Sequence, residues 1–177
     1  DKAMVLACLQ NVMGSIYTDN LSNPESAMAV HGDFYSFAGV PCRELVLYEP
    51  DGVSREFIIM VPEREEWARL IEECYEEKAK RITRYAIKKE PHVFDGKRLQ
   101  EFTESLDPAF TLRLIDEEIY NSCQEKGWSV DLVSQYPDYE TYQKYGLGMV
   151  VLKDGELVSG ASSYASCEGA IEVEVDT

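Results

Sequence analysis

The chain has little of what most simple activities require. Histidine occurs only as His31 and His92, far apart, which does not supply a zinc ligand set, and no metal is expected. The five cysteines, Cys8, Cys42, Cys74, Cys123 and Cys167, form no Cys-x-x-Cys pair. Most lie inside apolar periodic segments, where a thiol behaves as a small hydrophobe. A disulfide framework favours an even count in a smaller, secreted chain, so these are read as reduced core residues of a cytoplasmic protein. No apolar run approaches membrane-spanning length, and the first residues do not form a charged-then-apolar signal sequence. Positive charge is also scarce: 17 basic against 33 acidic residues give a net charge of −16. Such a chain repels nucleic-acid phosphates and anionic membranes and accommodates a cationic or amine-bearing partner more easily. Gly-rich phosphate loops are missing too, since Gly146 and Gly148 open a strand and not a helix.

What is present fits a globular protein of 177 residues with one or two small domains and a mixed α+β (α/β) pattern. Lys2 to Met13 carries Met4, Val5, Cys8, Leu9 and Val12 at helical spacing and stops at Gly14. Only Asp1 precedes this helix, as if the natural start lay further upstream. Ser15–Asn20 and Ala27–Gly39 are strand candidates. The run Phe57–Val61, closed by Pro62, predicts a strand buried on both faces. A helix follows, with Glu65 and Glu66 in its first turn and Trp67, Leu70, Ile71, Cys74 and Tyr75 along its apolar stripe. Arg81–Lys89 is β-rich and is the only basic island, suited either to a phosphate-bearing ligand or to pairing with nearby carboxylates. A further helix is expected over Gly96–Leu106. Leu106-Asp107-Pro108 marks a junction, dividing the chain into residues 1–107 and 108–177.

After the junction the order is strand (Thr111–Ile115), helix N-capped by Asp116, helix (Tyr136–Tyr145), then three antiparallel strands. Asp154-Gly155 between apolar runs predicts a type I′ hairpin, and Glu168-Gly169 a second turn of the same kind. The last strand alternates as Ile171-Glu172-Val173-Glu174-Val175-Asp176-Thr177. Period two puts Glu172, Glu174 and Asp176 on one face and Ile171, Val173 and Val175 on the other, the valine face reading as core. Carboxylates two positions apart raise one another's pKa, and partial burial adds to the shift. Together these move one of them toward the range of a general base.

This order, with the segments Gly146–Tyr164 and Ile171–Thr177, resembles the first half of a GNAT N-acetyltransferase domain. Cys8–Gly14 and Arg84–Glu90 are similar to the bacterial GNAT group with an extra N-terminal domain, which includes zwittermicin A resistance acetyltransferases. The resemblance implies a GNAT-like acyltransferase fold, incomplete in this sequence and preceded by an N-terminal α/β domain. Members of the family carry an Arg/Gln-x-x-Gly-x-Gly/Ala loop opening a helix that holds the coenzyme A pyrophosphate. Nothing of that kind follows Thr177, so the sequence is expected to be part of a longer enzyme, inactive alone and with an edge strand prone to association.

The activity implied is transfer of an acetyl group from acetyl-CoA to an amine of a small molecule by direct attack on the thioester. Nucleic acid and membrane are not expected partners, and a homo-oligomer is allowed. By the resemblance, main-chain groups of Val175, Asp176 and Thr177 pair with the pantetheine arm. The general base is Glu174 or Glu172. Trp128, in the loop between the two helices, either stacks on substrate or packs. Ser162, Ser163 and Tyr164 are candidate hydroxyls for the acceptor, although alternation sends them to opposite faces. A non-catalytic GNAT scaffold that binds a ligand or a protein is the alternative.

Overall fold

A computed structural model describes residues 2–52, 57–85, 90–125 and 127–177. The architecture is mixed α+β with two four-stranded sheets. The first runs β1 (Ser15–Thr18), β2 (Ser26–His31), β3 (Phe34–Gly39) and β4 (Ile59–Pro62) in spatial order, antiparallel except for the parallel β3–β4 pair. The second is a fully antiparallel meander of β5 (Phe110–Leu114), β6 (Gly148–Lys153), β7 (Glu156–Cys167) and β8 (Ala170–Asp176).

The first core gathers Met28, Val30, Tyr35 and Phe37 from β2 and β3 with Leu45 and Val46 of a short helix α2 (Arg43–Val46). The helix α3 (Glu65–Tyr75) completes it, burying Trp67 and Ile71 of the expected stripe. Helix α4 (Gly96–Glu104) buries no residue, and its first turn is capped by Asp95, which accepts from the N–H groups of Lys97 and Arg98. The second core is built on β6 and β7 by helices α5 (Glu117–Glu125) and α6 (Tyr139–Tyr145) and the 3-10 turn Ser129–Leu132. Asp116 caps α5, its carboxylate accepting the Ile119 N–H at 3.0 Å. The opening helix α1 (Lys2–Leu9) packs against both β2 and β7. Ala7 joins the second core, while the Cys8 thiol donates to the Val30 carbonyl of the first sheet at 3.5 Å.

Several expectations change. The opening helix ends at Leu9, because Asn11 takes a left-handed conformation before Gly14 does. The run Ala27–Gly39 is two strands: Gly32, at φ 52°, turns the chain back on itself between them. The strand after Phe57 begins at Ile59 and is a half-buried edge, not a strand covered on both faces. Its pairing with β3 starts only at Ile59, and Phe57 is left exposed. Arg81–Tyr85 forms no strand, and Ala86–Lys89 lies outside the described residues. Arg81 instead reaches back to Glu65 and Glu72 on α3, at 3.1 and 2.8 Å, so its charge is matched by carboxylates. Helix α6 starts at Tyr139, where Asp138 accepts the Thr141 N–H. All five thiols are free, Cys8 and Cys123 fully buried.

At the β6–β7 hairpin both Asp154 and Gly155 have positive φ, as the type I′ expectation requires. At the β7–β8 hairpin only Gly169 does, so that turn is of a different kind. The largest correction concerns β8. Val173 is 58% and Val175 68% exposed, so the valine face is not core. Register places Val175 in one row with Ala161, Met149 and Leu114, on the sheet face away from the helices. The acidic residues Glu174 and Asp176 share registers with Ser162 and Gly160, on the helix-covered side. Alternation fixes which residues share a face. It does not say which face is covered.

Candidate active site

A bulge in β7 organises the site. Ser163 pairs with Val173 and Ala165 with Glu172, leaving Tyr164 as an extra residue in the ladder. Bulges bend a strand and re-aim side chains. Here the bulged residue turns toward the first sheet: its carbonyl accepts from His31 Nε2 at 2.9 Å, and its hydroxyl accepts the Asp33 N–H at 3.2 Å. A carbonyl can only accept, so Nε2 of His31 carries a proton. Burial holds the His31 pKa below its ordinary value, opposed by that hydrogen bond, so the ring is neutral at neutral pH. The Tyr164 ring meets His31 and Phe34 edge-on, with centroids 5.3 and 5.8 Å apart.

Three carboxylates, Asp33, Glu174 and Asp131, act on this tyrosine, and Asp176 completes a group of four. Glu174 and Asp176 come from β8, Asp131 from the 3-10 turn, and Asp33 from the β2–β3 turn. They lie close enough for their charges to act on one another. Glu174 is half-buried, but its Oε2 exposes less than 1 Å² and is the one buried side-chain polar atom without a hydrogen-bond partner among the described residues. Its pKa is raised, first by burial and then by Asp131, Asp176 and Asp33. Asp131 is raised for the same reason, burial first, then Asp176 and Asp33. The tyrosine itself is pushed up to about 12 by burial and by the charges of Asp33, Glu174 and Asp131, so it keeps its proton. A proton acceptor with a raised pKa therefore stands near a phenol that keeps its proton while its oxygen accepts from the Asp33 N–H. Such a pair suits an ammonium that must lose a proton before it attacks.

The remaining residues singled out in the sequence divide clearly. Glu172 lies on the same strand face as Glu174 and is half-buried. Ser162 is 2% exposed and its hydroxyl is shared with Tyr142 at 3.0 Å. Ser163, also buried, bonds the Tyr136 hydroxyl at 2.7 Å and accepts the Leu147 N–H. Both serine hydroxyls thus serve the interior, and Tyr164 alone of the three turns toward the carboxylates. Trp128 is half-buried and packs against the second core. As the last strand of its sheet, β8 leaves one row of backbone groups outside the β7 ladder. Thr177 N–H is already taken by Asp176 Oδ1 at 2.8 Å.

Two signals went unread in the sequence: the 3-10 turn that delivers Asp131, and the β2–β3 turn that delivers Asp33. The second was visible as Gly32-Asp33 within an apolar run. A larger cavity, about 740 Å³, lies elsewhere, between the end of α6 and the β7–β8 turn, with Lys144, Tyr145, Cys167 and Glu168 in its wall. A smaller one, about 350 Å³, includes Asp33, Asp51, Tyr17 and Gln135 and so borders the acidic group. None of the four carboxylates lines the larger hollow.

The buried tyrosine–serine net also makes a prediction. Tyr136 Oη bonds both Ser163 and Ser166, so Tyr136→Phe strands polar atoms and is expected to cost about 1–3 kcal/mol. A urea midpoint unchanged from the wild-type value refutes this.

Comparison with known proteins assigns the fold. A family model described as GNAT acetyltransferase matches residues 1–177. A crystal structure of a GCN5-related N-acetyltransferase-like protein from Streptococcus suis 89/1591 is similar at 41% identity and a TM-score of 0.88, covering 100% of this chain and 70% of that one. No curated protein matches the chain. The chain belongs to the GNAT acetyltransferase family.

Proposed function

We propose that this protein is an acetyl-CoA-dependent N-acetyltransferase, cytoplasmic, acting on an amine of a small molecule, with Glu174 as general base. One observation carries the reading: a covered, unpartnered carboxylate oxygen on the last strand of the second sheet, in a group of four acids. An ammonium approaching that oxygen supplies the donor it lacks and gains from the surrounding negative charge. Glu174 then takes the proton, and the neutral amine attacks. Acetyl-CoA, as co-substrate, supplies the thioester: a nitrogen–carbon bond forms, the carbon–sulfur bond breaks, and coenzyme A leaves with a proton on sulfur. As an edge strand, β8 suits an extended amide-bearing arm laid alongside it at Val175, Asp176 and Thr177, through the main-chain groups that remain once Thr177 N–H bonds Asp176 Oδ1 and the Asp176 carbonyl accepts from the Ser159 hydroxyl. Tyr164, protonated at any physiological pH, offers its hydroxyl oxygen to the ammonium or donates to charge that develops in the transfer. In this reading residues 1–107 and 108–177 are two units, and the first lends Asp33 to the site of the second.

The test is free-thiol release from acetyl-CoA by the full-length protein, with and without a panel of small primary amines. Release that depends on the amine supports the reading. Binding of amine or acetyl-CoA without turnover by any panel member assigns the scaffold to ligand binding instead.

A further inference from the structure

Four consecutive residues of the first sheet converge on one residue of the second. His31 donates to the Tyr164 carbonyl at 2.9 Å, Asp33 N–H donates to its hydroxyl at 3.2 Å, and the Phe34 ring meets its ring edge-on. Between them, Gly32 has no room for a side chain. A Cβ there would overlap the Tyr164 hydroxyl and would lie 2.8 Å from Gln135 Oε1, and its φ of 52° already favours glycine. The hydroxyl uses an oxygen lone pair to accept from Asp33, and among the described residues its own proton has no acceptor. These contacts join residues 131 and 133 positions apart in the chain, so local sequence does not demand them.

We infer that the turn His31-Gly32-Asp33 is a positioning element of the acetyl-transfer site. It anchors Tyr164 by carbonyl, ring and hydroxyl together, holds the phenolic hydroxyl in place beside the carboxylates that receive the amine substrate, and so sets amine recognition from a sheet that need not touch the amine. This rests on the reading that Glu174 and Tyr164 form the acceptor site. The turn is fixed by backbone geometry, and a shift of the hydroxyl by the width of a methyl group misplaces the donor. Misplacement on that scale lowers efficiency by one to two powers of ten.

The experiment is steady-state kinetics of Gly32→Ala with acetyl-CoA and an amine that the wild type acetylates. Gly155→Ala serves as the control, because Gly155 also has positive φ but a Cβ there meets nothing within 4 Å. Gly32→Ala is expected to raise the amine KM about tenfold, with kcat within about threefold and the acetyl-CoA KM unchanged. His31→Gln, which keeps an N–H near the Tyr164 carbonyl, is expected to stay near wild type, whereas His31→Leu raises the amine KM as Gly32→Ala does. That pair carries the test if Gly32→Ala does not fold. Amine KM values within about twofold of the Gly155→Ala control for both Gly32→Ala and His31→Leu overturn the inference. Equal losses in both KM values overturn it as well, since they report a general loosening. Glu174→Gln in the same assay separates the levels. If it leaves turnover intact, Glu174 is not the base, and the reading on which the positioning role rests falls with it. If it abolishes turnover while Gly32→Ala matches the control, only the positioning role falls.

Discussion

Glu174→Gln is expected to lower kcat for amine acetylation by about 10²–10⁴-fold, the usual contribution of a positioned general base, while making the folded protein slightly more stable. Both effects come from the same atom. Glutamine keeps the shape of the side chain and can still hydrogen-bond an amine, so the amine KM changes little. It cannot accept the ammonium proton. With Glu174 as base, the wild-type kcat/KM is expected to fall on the acid side as Glu174 becomes protonated, with that limb above the ordinary glutamate value of 4.5, because burial and three neighbouring carboxylates hold the proton on. The variant loses the limb. An acid limb at the ordinary carboxylate position, or turnover within a few-fold of wild type, refutes the assignment. Glu172→Gln is the companion, since Glu172 was the other candidate; loss of turnover there, with Glu174→Gln active, transfers the role.

The stability sign follows from linkage. Between pH 4.5 and the raised value, the folded chain retains a proton on Glu174 that the unfolded chain has released. Folding stability therefore falls as pH rises through that window and stays lower above it. Glutamine never ionises and avoids the loss. Glu174 is only partly buried and screened by solvent, so the gain is on the order of 1 kcal/mol or less, about 2–4 °C in a chain of this size. A gain in melting temperature at neutral pH that vanishes in acid is the pattern expected. An enzyme that holds an unpaired carboxylate in place, against its own stability, is behaving as functional sites do.

How much of this was legible beforehand depends on the range of the interaction. The Asp154-Gly155 turn, the α3 stripe and the Asp116 cap rest on neighbours within a few residues, and each was read correctly from composition and period. The alternation that sets Glu172, Glu174 and Asp176 on one face was legible too, but it left the base open between Glu174 and Glu172, and burial comes before any strand neighbour in raising Glu174. Which face of β8 is covered was read backwards, because hydrophobicity favours burying valine. The helices cover the acidic side instead, leaving Val173 and Val175 exposed. Asp33 and Asp131 could not be assigned to the site, since their approach to Glu174 depends on how the β2–β3 turn and the 3-10 turn pack on β7 and β8. The bulge at Tyr164 leaves no local signature, the residues around it being ordinary strand formers.

Trp67→Ala is expected to cause the largest loss of stability of any single change considered, about 3–5 kcal/mol, and the loss extends to the site in the other sheet. Trp67 is fully buried, its ring lies 5.0 Å from Phe37, and its Nε1 donates to the Gly39 carbonyl at 3.1 Å. That carbonyl keeps Arg64 as a second donor at 2.6 Å, so the loss is chiefly a cavity and not a stranded polar atom. Domains are typically stable by only about 5–15 kcal/mol, so the first sheet becomes marginal. The chain has two tryptophans, and the variant leaves only Trp128, packed on the second core, as fluorescent reporter. Trp128 emission is expected to unfold at lower urea than in wild type, because α1 packs on both sheets and the His31–Tyr164 bond ties them. Below that transition the amine KM rises while Trp128 emission stays native, since the β2–β3 turn is lost before the second core. A Trp128 midpoint identical to wild type shows instead that the sheets unfold independently, and removes the physical basis for control of the acceptor site by the first sheet.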